Sequence, residues 1–130
     1  MIIIDATGAA MGRIATFAAK QALLGKEVAI VNCENAVITG RKSAIMETYK
    51  TKRSRGGSAQ KGPYFPSSPE MIFKRTIRGM LPWKIARGKK AFRLVKCFNS
   101  LPAEYAASEK ISFKSAKKPY LRLGELSNLI

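Results

Sequence analysis

Histidine is absent from this 130-residue sequence, aspartate and tryptophan occur once each (Asp5, Trp83), and cysteine occurs twice (Cys33, Cys97). Without histidine the commonest general base and the commonest metal ligand are both missing, so His-based triads and ordinary zinc sites are excluded. The two cysteines form no C-x-x-C pair and suit a reducing compartment, so no metal or cofactor is expected. Acidic residues are scarce as well, 8 against 24 Lys plus Arg, for a net charge of +16. Long apolar runs are lacking too: nothing approaches the ~18 residues of a membrane span. Met1 to Ile4 is too short for a signal peptide and has no basic flank. A single cytoplasmic domain covering residues 1–130, with no membrane contact, is the expectation. Its 46% apolar content suits a globular core.

The charge is unevenly placed. Residues 1–40 are neutral, residues 41–96 carry +14 and residues 97–130 carry +2. Between Met71 and Phe98 there are nine basic residues and no acidic one. Lys and Arg on helices often form only a solvated face, but such a face normally intersperses acids. An uncompensated block of this size attracts a polyanion. Arg41, Lys42, Lys50, Lys52, Arg53, Arg55, Lys61, Lys74, Arg75, Arg78, Lys84, Arg87, Lys89, Lys90 and Arg93 are therefore the expected phosphate contacts. Tyr64 and Trp83, set among them, are candidates for stacking on unpaired bases.

The periodicity points to an α/β fold. Ile2-Ile3-Ile4 and Val28-Ala29-Ile30-Val31 read as buried strands. The helix between them carries Ile14, Phe17, Ala18, Gln21 and Leu24 at spacings of three and four and closes at Gly25, which implies a parallel crossover. Arg41 to Lys50 reads as a short helix with Ala44, Ile45 and Tyr49 on one side. Thr51 to Glu70, with three Gly, three Pro and four Ser, reads as a loop whose Lys52-Arg53-Ser54-Arg55-Gly56-Gly57 segment is ordered by a partner. Ser68-Pro69-Glu70 then opens a helix, with Ser68 as N-cap and a stripe of Ile72, Phe73, Ile77, Met80 and Leu81, ending at Gly79 and Pro82. A second basic helix spans Gly88 to Leu94, and Val95 to Phe98 and Tyr120 to Leu123 complete a count of four strands. Gly124 to Ile130 reads as a terminal helical turn.

Catalytic constellations are thin. Gly8-Ala9-Ala10-Met11-Gly12-Arg13 stands between strand and helix, where phosphates bind, but its glycine spacing fits neither a dinucleotide fingerprint nor a P-loop. A tight turn with close helix-to-sheet packing is the plainer reading, and Asp5 reads as a turn residue. The alternative is an RNA-modifying or nucleotide-binding enzyme that uses the Gly8 to Gly12 turn.

Gly79-Met80-Leu81-Pro82, followed by Trp83-Lys84 and Arg87-Gly88, resembles the signature of the large-subunit ribosomal protein thirteen family in its archaeal and eukaryotic form. Matching segments run along most of the chain: Ile4-Asp5-Ala6, Gly12-Arg13, Val31-Asn32-Cys33-Glu34, Thr39-Gly40, Gly62-Pro63-Tyr64 and Ile72 to Arg78. The resemblance implies a three-layer α/β/α fold, with a four-stranded parallel sheet between helices. It also implies a non-enzymatic constituent of the large ribosomal subunit that takes part in translation and has no small-molecule substrate. Large-subunit rRNA and neighbouring ribosomal proteins are the implied partners, with the basic block at 41–96 inserted in the domain.

Overall fold

The computed structural model describes residues 1–54, 68–82, 84–106, 108–113 and 120–129, with the backbone alone at 52–54 and 129. β1 (Ile2–Asp5) and β2 (Val28–Val31) pair in parallel, Ile2 opposite Val28 and Asp5 opposite Val31. Between them α1 (Met11–Leu23) makes the crossover. Its buried face is mostly alanine: Ala15, Ala18, Ala19 and Ala22 stand with Met11 and Ile14. Small side chains let neighbouring backbones come close, and α1 is packed against two other helices, α3 (Pro69–Met80) and α4 (Ala86–Arg93). Gly25 stops α1 with φ +86°, as the C-terminal glycine signal predicts.

After β2 the chain leaves the sheet. It forms a 3-10 turn at Cys33–Asn35, then β3 (Val37–Thr39) and α2 (Lys42–Ser54). It returns as β4 (Val95–Cys97), parallel to β2 on the outer side. A second 3-10 turn at Ala103–Tyr105 leads to β5 (Ile111–Ser112), which pairs in parallel with β1. The sheet order is thus β4-β2-β1-β5. Ile4, Val28, Ile30 and Val95 face α1 and α3, whereas Ile3, Ala29 and Val31 face the other way, under Phe98 and Tyr105. The period-2 alternation of a strand explains this division, because consecutive residues point to opposite faces.

The α/β class and the parallel four-stranded sheet agree with expectation, but the fourth strand is a different segment. Tyr120–Arg122 is β6, antiparallel to β3 in a separate two-stranded sheet, and Leu123 already begins α5 (Leu123–Leu129). The Leu123 N–H donates to the Ala36 carbonyl at 2.8 Å, and Leu123 and Leu126 are fully buried. β5 lacks the apolar run that marks a central strand because it is an exposed edge of two residues.

Several local expectations need correction. α2 continues to Ser54, so the segment expected to be a loop is helical at 51–54. Ala44 is exposed, leaving Ile45 and Tyr49 as the buried contacts of α2. Gly79 lies inside α3, which ends instead because Pro82 restricts Leu81 to an extended conformation (φ −107°, ψ 148°). Ser68 occupies the N-cap position of α3 but makes no side-chain bond there. The Glu70 N–H donates to Asn99 Oδ1 at 3.1 Å, so a residue beyond β4 caps this helix.

Candidate nucleic-acid interface

The basic side chains project because the opposite faces of their helices are taken up by the core. On α3, Ile72, Phe73 and Ile77 are fully buried and fix the helix on α1 and β4. That leaves Arg75 exposed, with Lys74 and Arg78 half-buried. Met80, expected on the apolar stripe, is 42% exposed and lies over α1, where its Sδ accepts from the Thr16 hydroxyl at 3.6 Å. On α4, Gly88 and Ala91 are buried, so Lys89, Lys90 and Arg93 share an outward arc of about 100°. Arg87 and Lys84 are exposed beside them.

α3 and α4 are joined by a cation on a ring. Lys74 Nζ lies 5.1 Å from the centroid of Phe92, which itself packs on the core. Phe92 is half-buried, while Phe73 is wholly interior. Arg41, Lys42 and Lys50 are exposed on and next to α2, which rides on β6 of the small sheet. The remaining expected contacts (Lys52, Arg53, Arg55, Lys61, Tyr64 and Trp83) lie outside the described side chains, as does most of the segment expected to fold on binding.

Two cations escaped the sequence reading. Arg13 and Lys20 are exposed on one face of α1, with Thr16 between them. Through Thr16 this face adjoins the C-terminal end of α3. They were hidden because acids elsewhere in residues 1–40 cancel them in a charge count. Helical spacing of seven residues was the available signal.

The Gly8 to Gly12 turn is engaged with the protein itself. Gly8 has φ +72°, its N–H donates to the Asn35 carbonyl at 2.9 Å, and the Val37 N–H donates to the Ala9 carbonyl at 3.0 Å. Gly12, expected to pack closely, has no described atom from outside its own helix backbone within 4 Å of where a Cβ would stand. Asp5 is a turn residue, its Oδ1 accepting from the Thr7 N–H (3.1 Å), the Thr7 hydroxyl (2.8 Å) and Asn32 Nδ2 (3.2 Å). Partial burial opposes its ionisation, but these hydrogen bonds and Lys110 outweigh it and hold the carboxyl below its ordinary value. Among the described residues no three His, Cys, Asp or Glu side chains gather to hold a metal, and no helix is long and apolar enough to cross a membrane.

The family model described as ribosomal protein L13 matches residues 1–104, which span β1 to β4 and every basic helix described above. The chain is 50% identical to the large ribosomal subunit protein uL13 of Archaeoglobus fulgidus over 107 residues, covering 82% of this chain and 68% of that protein. It is 45% identical to the protein of the same name from Methanocaldococcus jannaschii over 130 residues, covering 98% and 95%. For the Methanococcoides burtonii protein of that name the identity is 44% over 133 residues, with coverage of 98% and 95%. With the family model matched over residues 1–104 and relatives at 44–50% identity, the chain belongs to the ribosomal protein L13 family.

Proposed function

We propose that this chain is a structural, non-catalytic constituent of the large ribosomal subunit that binds its rRNA through the outward faces of α3 and α4 and supports assembly of the subunit. The observation that carries this reading is the outward arc of Lys89, Lys90 and Arg93, next to Arg87 and Arg75, on helices whose other faces are committed to the core. The sequence between Met71 and Phe98 itself contains no acidic residue. Phosphates supply the missing counter-charge, and the entropy of released counterions drives association. Arg engages phosphate through its planar fork, whereas Lys acts as a point charge. The α2 set of Arg41, Lys42 and Lys50 extends the contact toward the small sheet, and neighbouring ribosomal proteins meet the remaining surface. A cytoplasmic location follows from residence in the ribosome.

The Gly8 to Gly12 turn serves the fold through its Gly8 N–H and Ala9 carbonyl, which are paired with residues 35 and 37. The test is sedimentation of extract from cells expressing a tagged chain. The protein is expected to travel with the large subunit and to leave it in high salt. A pool that stays entirely free would overturn the reading.

A further inference from the structure

The two cysteines, 64 positions apart in sequence, are brought together at the carboxyl ends of adjacent strands. In the β2–β4 register Ile30 stands opposite Cys97. The pairing continues past both strands, because the Phe98 N–H donates to the Ile30 carbonyl at 2.8 Å and the Cys33 N–H donates to the Phe98 carbonyl at 3.0 Å. Asn32, in the left-handed region at φ 58°, bends the chain so that the Cys33 side chain returns to the helix-covered side of the sheet. Its Sγ lies 3.6 Å from the Ile30 carbonyl oxygen, on the residue that pairs with Cys97. Cys97 packs on the same core cluster, at the strand position paired with Ile30, whose carbonyl the Cys33 thiol reaches. Cys33 is wholly buried, and Cys97 is partly open to solvent.

We infer that Cys33 and Cys97 form a modification site, a thiol pair that closes to an intramolecular disulfide by exchange with a low-molecular-weight disulfide such as oxidised glutathione. The partly open Cys97 is the point of entry. Its thiolate attacks one sulfur of the small disulfide, forming a mixed disulfide and releasing one thiolate. Cys33 then gives up its proton and attacks the Cys97 sulfur, expelling the second small thiolate. The two protein thiols lose two electrons and two protons, and the small disulfide becomes two thiols. The order follows from the surroundings: the neighbouring Cys97 thiol, then burial, push the Cys33 thiol up, and the Glu70 carboxylate works in the same direction. Glu70 Oε2 is buried and finds no hydrogen-bond partner among the described residues.

The bond would close a loop of about 65 residues, long enough to restrict the unfolded chain strongly. That loop contains α2, α3, α4 and the whole basic block. Closing the site therefore ties together the two ends of the segment that faces RNA.

The purified protein is incubated with oxidised glutathione and read by intact mass, peptide mapping under non-reducing conditions, and thermal unfolding. The expected result is a mass lower by about 2 Da, a Cys33–Cys97 cross-linked peptide, and a Tm raised on the order of 10 °C. Dithiothreitol should reverse all three. A glutathione adduct that persists on Cys97, a dimer linked between chains, or two free thiols after prolonged exposure would each overturn the inference. Cys97→Ser should abolish the Tm shift; because mapping is done on the unsubstituted protein, the test survives any folding defect in that variant.

Discussion

Replacing Lys89, Lys90 and Arg93 together by Ala isolates the electrostatic part of RNA recognition, because the three side chains are exposed while Gly88 and Ala91 hold α4 in place. Each phosphate neutralised contributes roughly 0.7 to 0.9 to the slope of log K against log salt. Leaving three phosphates without their cations should flatten that slope by about 2 to 3 units. At 0.1 M salt the same terms predict an affinity loss on the order of 100-fold, and close to none when extrapolated to 1 M. The free protein should barely notice. Lys89 with Arg93 and Lys90 with Arg93 are like-charge pairs at helical spacing, so removing them gains a few tenths of a kcal/mol per pair. Loss of Lys90 and Arg93 from the last turn forfeits a similar attraction to the helix dipole. Stability should therefore stay within about 0.5 kcal/mol of the parent. The assay is filter binding to large-subunit rRNA at a series of salt concentrations, with circular dichroism melting as the control. An affinity loss equal at every salt concentration, or no loss, would mean that these side chains do not face phosphate.

Further expectations are local. Asn99→Ala should cost about 1 kcal/mol in urea unfolding, because it removes the acceptor for the Glu70 N–H, whereas Ser68→Ala, whose side chain makes no cap bond, should cost little. Asp5→Asn should destabilise by about 1 kcal/mol near pH 7. Since the folded carboxyl sits below its ordinary value of 3.8, this stabilisation is fully present above that value and is lost as pH falls through the folded one. Unfolding curves of the parent and Asp5→Asn should therefore converge in strong acid; a gap that persists there would count against the assigned hydrogen bonds. Gly25→Ala should lower the melting temperature because φ +86° disfavours a Cβ, and Gly12→Ala, in open space on α1, should leave it unchanged or raise it. A destabilised Gly12→Ala would show a close contact there after all.

Legibility differed by element for identifiable reasons. β1 and β2 were readable because strands buried on both faces leave continuous apolar runs, and α1 because its one buried face imprints a period of 3.6 on the chain. β5 was not, since a two-residue edge strand carries no period, and its place on β1 depends on where the rest of the sheet lies. β6 had the apolar Leu121 of a strand, but nothing in Tyr120–Arg122 says which partner it takes or in which direction it runs. The end of α3 was legible through Pro82, a local steric effect, while its cap came from Asn99 across the fold. The basic block stood out in the charge count, yet the exposure of Arg13 and Lys20 depended on which side of α1 the sheet and two helices cover.

The absence of histidine chemistry, the α/β alternation at the start, the concentration of +14 net charge in residues 41–96 and the family signature around Gly79-Met80-Leu81-Pro82 are all present in the unfolded chain. They are properties of composition and of near neighbours, and no folded state is needed to count them. Which cations face outward as one surface, which strands pair, what caps α3, and that Cys33 meets Cys97 are settled only on folding. Each of those depends on residues distant in sequence becoming neighbours, and burying the apolar faces of α1, α3 and the sheet against one another is what brings them together.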